Sequence, residues 1–197
     1  MTSLDTSLWV NLICPGPLQE KLVMLLTEMH RRWPVDALCV MHLKEPAKLL
    51  PVCIQGLSTD TLGREFVLEQ QPRLQAILST PEPVHFAHDA ELRDPFDGLI
   101  PHHSGKLSVH DCMGIRLEVQ NSVWGLLTLD ALEAGSFPQR LQAEIKDWVR
   151  LIEAVIQQET VLKQSSNLVY PAQTRVSYHP SSQMVGNSEE MIQLHDA

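Results

Sequence analysis

Hydrophobic residues along this chain follow two kinds of spacing, and each kind predicts a different element. Leucine and methionine recur every three or four positions between Pro17 and Arg32, which predicts an amphipathic helix. Pro34 disfavours helical backbone at the residue before it, so we expect this helix to end near Arg32. The segment before Pro17 has no clear pattern.

Short apolar runs predict strands that pair as two hairpins. The runs 36–43 and 50–57 are joined by a turn at 44–48, and the runs 113–118 and 122–129 are joined by Gln120 and Asn121. Asn tolerates the left-handed backbone that a tight hairpin turn needs. Between the hairpins the pattern predicts a helix at 73–78, a brief strand at 83–86 and a long connection at 88–107.

A long helix is predicted from Pro138 to about residue 163. Its apolar residues keep a spacing close to the heptad pattern of a coiled coil. This spacing fits two structures: a helix packed on the chain's own sheet, and a homodimer formed through the helix at 138–163. The residues that carry the spacing are Leu141, Ile145, Trp148, Ile152, Val155 and Leu162.

The order of elements (helix, hairpin, helix, strand, long loop, hairpin, long helix) predicts an α+β fold with an antiparallel sheet flanked by helices. We expect one domain at 1–164, a polar linker at 165–182 that contains two prolines, and the start of another module at 183–197.

Candidate metal ligands lie in and around the second hairpin. If its turn is centred on Gln120 and Asn121, Asp130 falls opposite position 111, within about one residue of register. His110 and Cys112 flank that position and share one face of the strand. Imidazole, thiolate and carboxylate bind transition metals, so the hairpin end predicts a metal site.

The same residues have ordinary structural explanations. A lone His or Cys on a strand is commonly a packed side chain, and Asp94-Pro-Phe-Asp97-Gly is a typical turn sequence. The metal-site prediction therefore depends on the joint placement of these residues. The connection at 88–107 adds Asp94 and Asp97, and loops of this length are commonly functional.

Composition narrows the classes of function. The chain has 197 residues, 44% hydrophobic residues and a net charge of −9. No apolar run approaches the roughly 20 residues of a membrane span, and scattered Lys and Arg argue against direct nucleic-acid contact. The four cysteines form no CxxC pair and no basic leader precedes the domain, so we expect a reduced, cytoplasmic protein.

Four motifs in order resemble a known family. GREFVLEQQPRLQAI, DPFDGLIP, SVHDC and GLLTLD are similar to the N-terminal regulatory domain of the NorR family, nitric-oxide-responsive activators of sigma-54-dependent transcription. The similarity covers about 36–164 and implies a GAF-like fold. MVGNSEEMIQL resembles the start of the AAA+ ATPase module that follows in such activators.

The resemblance implies a mononuclear non-haem Fe(2+) site that binds nitric oxide and a domain that represses the AAA+ module of the same chain until it does. It places the site at Asp94, Asp97, His110, Cys112, Asp130 and Arg73.

Charge separates Arg73 from the other site residues. Three carboxylates and a thiolate carry more negative charge than ferrous iron balances, which is costly in a buried site. Arg73 stays protonated, so we expect it to act as a counter-ion or gate. Asp94 and Asp97 come from a loop and are the carboxylates most readily absent from the metal.

Two other functions fit the same residues: a non-haem iron enzyme, and a GAF module that binds a small organic ligand or only dimerises. The sequence contains neither a Ser/His/Asp arrangement that would support catalysis nor a GxxxxGK[ST] phosphate loop. A non-enzymatic sensor is therefore the prediction.

Overall fold

The computed structural model describes residues 6–101 and 111–169. The chain divides into two compact units, Met1–Leu162 and Lys163–Ala197. His110, His102, His103 and the proposed AAA+ start at 183–197 lie outside the described residues. Among those described, no helix combines the length and apolar character that a membrane crossing requires.

Six strands form one antiparallel sheet in the order β3-β2-β1-β6-β5-β4. The α+β prediction with an antiparallel sheet is confirmed. The strands are Ala37–Lys44 (β1), Lys48–Gln55 (β2), Phe66–Val67 (β3), Val84–Phe86 (β4), Asp111–Val119 (β5) and Ser122–Ala131 (β6).

Helices flank both faces of the sheet. The α-helices are Thr6–Ile13 (α1), Leu18–Arg32 (α2), Pro72–Leu78 (α3) and Gln139–Val169 (α4), with 3-10 turns at Thr59–Gly63 and Leu68–Gln70. One hydrophobic core joins the sheet to α1, α2 and α4. A second core joins the opposite face to α3 and to the loop after β4.

Local chemistry sets the ends of several elements as the sequence predicts. Helix α2 ends at Arg32 because Trp33, before Pro34, has extended backbone (φ −119°, ψ 151°). The β5–β6 turn uses Gln120 and Asn121, with φ of 53° and 60°. Two successive residues with positive φ are typical of the type I′ hairpin turn.

The heptad-like spacing of α4 serves the chain's own core. Its residues Leu141, Ile145, Trp148, Ile152 and Val155 are buried against the sheet, and only Leu162 of the predicted seam is exposed. Of the two structures that fit the spacing, the helix packed on the chain's own sheet is therefore the one observed for these five residues, and the homodimer through 138–163 stays a prediction. A three- and four-residue spacing describes any apolar helix face and does not say what covers it.

Helix α4 also continues to Val169, five residues into the segment predicted as a linker. The polar residues there contain no helix breaker before Pro171.

Candidate metal centre

The second hairpin brings Cys112 and Asp130 directly opposite each other. Cys112 pairs with Asp130 and Asp111 pairs with Ala131, so the register differs by one residue from the position predicted for Asp130 and lies within the expected error. Directly paired residues point to the same face of a sheet. Both side chains are buried on the α3 side, at 5% and 3% exposure.

The loop after β4 adds Asp94 to this pair. The carboxylate Oδ1 of Asp94 accepts a hydrogen bond of 2.7 Å from the amide of Phe96, two residues on. This is the turn that the Asp-Pro-Phe sequence predicts. Phe96 is 1% exposed and packs edge-on against Phe66, with ring centroids 5.8 Å apart. The turn and its buried ring therefore hold Asp94 over the sheet.

Asp94, Cys112 and Asp130 form a buried trio. Each contributes one candidate ligand atom, and these atoms lie within 4.8 Å of one another. Asp97 is half-buried and does not belong to the trio, and its amide donates a long hydrogen bond of 3.4 Å to the Asp94 carbonyl. Of the predicted site residues in the described part of the chain, the structure groups these three and leaves Asp97 to one side.

Arg73 lies against the trio from α3. Its Nη1 donates to Asp94 Oδ2 at 2.8 Å and to Cys112 Sγ at 3.0 Å, and its Nε donates to the Leu92 carbonyl at 2.7 Å. The guanidinium carbon is 5.2 Å from the centre of the Phe86 ring. At 3% exposure, Arg73 is a buried counter-charge and not a surface helix residue.

Electrostatics in the trio favour protonated groups when no cation is bound. Burial, then the charges of Asp130 and Asp94, raise the pKa of the Cys112 thiol well above its usual range. Burial, then the charge of Asp94, raise the pKa of Asp130, against the lowering effects of a Cys112 hydrogen bond and of Arg73. The thiol also donates to Asp94 Oδ2 at 2.7 Å.

One carboxylate oxygen of the trio lacks a partner. Oδ2 of Asp130 is buried and makes no hydrogen bond among the described residues. An unsatisfied buried oxygen costs about 1–3 kcal/mol, so it marks a position where a further group fits. The donor set, two carboxylates and one thiol, suits a divalent transition metal, including ferrous iron.

A small cavity opens beside the trio. Inside it, the volume open to the centre of a water-sized sphere is about 10 Å³. One water needs roughly 10–15 Å³ by the same measure. Its walls are mostly apolar. They include Phe86, Phe96, Leu74, Ile77 and Thr128.

Several of these neighbours were not singled out from sequence. Phe86 pairs with Cys112 in the β4–β5 register, and Thr128 lies two residues before Asp130 on the same face. Strand alternation could have found Thr128, because its side chain must point where Asp130 points. Phe86 depends on the pairing of β4 with β5, which the sequence did not reveal.

Comparison with curated proteins relates the chain to regulators of nitric oxide reductase genes. No family model matches the chain. Nitric oxide reductase transcription regulator NorR1 of Cupriavidus necator is 40% identical over 157 residues, which is 79% of this chain and 30% of the relative. NorR2 of the same organism is 41% identical over 150 residues (76% and 29%).

The anaerobic nitric oxide reductase transcription regulator NorR of Vibrio vulnificus is 35% identical over 148 residues, 74% of this chain and 29% of the relative. The chain therefore spans about 30% of the length of the curated relatives it matches.

Solved structures with the same fold are GAF domains. The GAF domain of a phosphoenolpyruvate-protein phosphotransferase from Coxiella burnetii aligns with a TM-score of 0.65 at 17% identity, covering 80% of this chain and 93% of that one. The corresponding GAF domain from Acinetobacter gives 0.63 at 13% identity, with coverage of 80% and 93%. The chain has the GAF fold, and its homologues over about three quarters of its length include the NorR regulators of nitric oxide reductase transcription.

Proposed function

We propose that this chain is the nitric-oxide-sensing regulatory domain of a sigma-54-dependent transcription activator, and that it holds a mononuclear non-haem ferrous iron. The observation that carries the proposal is the buried Asp94, Cys112 and Asp130 trio in a chain 40% identical to a nitric oxide reductase transcription regulator. Ferrous iron, when bound, supplies an open coordination position for nitric oxide.

Charge balance supports a divalent ion at this place. With Asp97 outside the trio, two carboxylates and a thiolate equal the combined charge of a divalent cation and Arg73. The filled site is then neutral, which removes the main cost of burying it. His110 immediately precedes β5 and completes the proposed ligand set from outside the described residues. Asp97, in the same loop as Asp94, remains a candidate ligand.

The chain's own residues prepare the site in three ways. Arg73 donates hydrogen bonds to both Asp94 and Cys112 and so places a positive charge beside both groups. Phe86 and Phe96 wall the cavity and keep bulk water away. The Phe96 amide fixes the Asp94 carboxylate through Oδ1, which leaves Oδ2 directed at the trio.

Regulation is proposed to pass from this site to the AAA+ module of the same chain. Asp94 belongs to the loop after β4, and Cys112 belongs to the first residues of β5. A change in the bonds of either side chain moves that loop or the hairpin end. The domain represses the ATPase in one arrangement and releases it in the other, as a two-state switch.

The cavity beside the trio is small, with about 10 Å³ open to the centre of a water-sized sphere, near the roughly 10–15 Å³ that one water needs. A site of this size suits a small ligand such as nitric oxide. The proposed domain is a sensor that performs no turnover. A homodimer through α4 stays a prediction, and it would have to use exposed residues such as Val161 and Leu162.

Anaerobic reconstitution tests the proposal. The chain is loaded with ferrous iron, washed, assayed for iron and examined by EPR after nitric oxide is added. We expect one iron per chain and a half-integer-spin signal of matching intensity. Cys112→Ala and Asp130→Ala should lose both. Cys53→Ala is the matched control, because Cys53 is also buried but lies in the core on the other face of the sheet.

Iron that binds the two site variants as it binds wild type would refute the assignment of the site. Tight iron with no nitric-oxide signal would instead favour an enzyme or a structural metal. Absence of iron in the wild-type chain would leave a GAF interaction module.

A further inference from the structure

Two neighbouring residues at the start of β5 serve opposite faces of the sheet. Cys112 faces the cavity, whereas Asp111 faces the core that contains α4. The adjacent strand β4 repeats this division: Phe86 pairs with Cys112 on the cavity side, and His85 points to the α4 side. The edge of the sheet thus links the trio on one face to the base of α4 on the other.

Asp111 holds the segment that leads into α4. It is 1% exposed, and its Oδ2 accepts hydrogen bonds from the amides of Gly135, at 2.5 Å, and Ser136, at 3.1 Å. His85 Nε2 lies 3.8 Å from the same oxygen, and the His85 ring packs edge-on against Phe137 with centroids 5.8 Å apart. One carboxylate oxygen of Asp111 therefore holds the amides of Gly135 and Ser136, while the neighbouring His85 packs against Phe137.

The second carboxylate oxygen of Asp111 cannot compensate if the bonds to the first oxygen are lost. Oδ1 is buried and makes no hydrogen bond among the described residues. The amides of Gly135 and Ser136 are the donors to Oδ2. Because a buried oxygen without a donor is costly, the β6–α4 segment should follow any displacement of Asp111.

We propose that Asp111 is a positioning residue that couples the metal centre to the start of α4. Cys112 and Asp111 share a peptide unit, so a shift of Cys112 in the trio also shifts Asp111 and the amides it holds. Helix α4 then carries the change towards the part of the chain beyond Leu162. This inference rests on the proposed function, because it names the route by which metal binding at the trio affects α4.

Hydrogen–deuterium exchange of the segment 133–138 tests the coupling in the chain with and without ferrous iron. In wild type, iron should slow exchange of the Gly135 and Ser136 amides by at least about fivefold, the lower end of common coupling strengths. Asp111→Ala should still bind one iron per chain. Its exchange ratio, the exchange rate without iron divided by the rate with iron, should fall to about one. Asp111→Asn keeps an acceptor oxygen and should retain most of the ratio.

Asp36→Ala is the matched control. Asp36 Oδ2 accepts a hydrogen bond of 2.7 Å from the amide of Leu132, the residue just before the measured segment, but Asp36 lies before β1 and does not belong to the trio. This variant should speed exchange with and without iron and preserve the ratio. A merely structural role for Asp111 would give the same result as Asp36→Ala.

The wild-type measurement can overturn the proposal even if Asp111→Ala does not fold. Iron binding with unchanged exchange in 133–138 refutes the coupling and leaves the proposed function intact. A wild-type ratio that survives in Asp111→Ala also refutes it. Absence of iron binding in wild type refutes the proposed function and the coupling together.

Discussion

Asp130 places stability and function in conflict at a single residue. Its carboxyl is buried, is close to Asp94 and has one oxygen without a partner among the described residues. These features destabilise a metal-free fold, and they are also what a cation would relieve. A residue that weakens the apoprotein while fitting a bound ion is typical of a functional site.

Asp130→Asn should stabilise the metal-free chain and abolish iron binding. The folded-state pKa of Asp130 is raised above its ordinary value of 3.8, so the folded chain retains a proton that the unfolded chain releases. Wild-type stability therefore falls as pH rises above about 4. At pH 7.5 the variant should unfold at a temperature higher by ~2–4 °C, for a gain of roughly 1 kcal/mol.

Thermal unfolding with a chelator at pH 5 and pH 7.5 measures this difference. The advantage of the variant should widen with pH. A variant that is less stable than wild type at both values would show that the carboxyl is well accommodated without a metal, and would contradict the physical account of the site.

At the scale of elements, the position of α3 depends on a missing side chain. Gly114 in β5 faces Ile77 in α3, and a Cβ there would lie 2.2 Å from the Ile77 side chain. Ile77 is 2% exposed and β-branched, so it has little freedom to move aside. The close approach of α3 to the sheet brings Arg73, one turn earlier, within hydrogen-bonding distance of Cys112.

Gly114→Ala should therefore push α3 outward. We expect a loss of about 1–3 kcal/mol from overpacking, together with weaker iron binding because Arg73 is displaced. Urea unfolding and an iron titration measure the two effects. Gly63→Ala is the control: a Cβ at Gly63 meets nothing within 4 Å, so its stability should change by less than about 0.5 kcal/mol. Unchanged iron affinity in Gly114→Ala would show that Arg73 does not depend on this contact.

At the scale of the whole molecule, the apolar stripe of α4 packs into the core of its own domain until near the end of the helix. Ile152 is fully buried, whereas Leu162 on the same helix is 48% exposed. A partner could therefore contact the exposed residues of α4, including the apolar Val161 and Leu162, but not its buried stripe.

Ile152→Ala should lower folding stability, whereas Leu162→Ala should leave folding stability almost unchanged and could affect only association. Ile152→Ala should lose about 2–5 kcal/mol of folding stability, the usual cost of a large core truncation. Leu162→Ala should change stability by less than about 0.5 kcal/mol. Chemical unfolding, with the molar mass in solution measured over a range of concentrations, separates the two roles. If Ile152→Ala dissociated a dimer while the chain stayed folded, the apolar stripe of α4 would belong to a dimer interface, contrary to this expectation.

Local pattern predicted much of the fold, because helix periodicity, strand alternation and turn chemistry are properties of neighbouring residues. The end of α2 at Arg32 and the turn at Gln120 and Asn121 follow from adjacent side chains. Helix α1 and the two-residue strand β3 were missed. Each is short, and β3 exists only because it pairs with β2 at Lys48 and Leu49.

The sequence by itself determined the second hairpin and its turn at Gln120 and Asn121, which place Asp130 opposite position 111. A register shift between Leu117 and Glu118 then sets Cys112 opposite Asp130, and the local sequence did not reveal it. Only the tertiary structure decided that Asp94 joins them while Asp97 does not, and that Arg73 lies within hydrogen-bonding distance of Asp94 and Cys112. It also decided that α4 covers its own sheet. The physical reason is the same in each case: a pattern specifies which face of an element is apolar or charged, but the fold decides what meets that face.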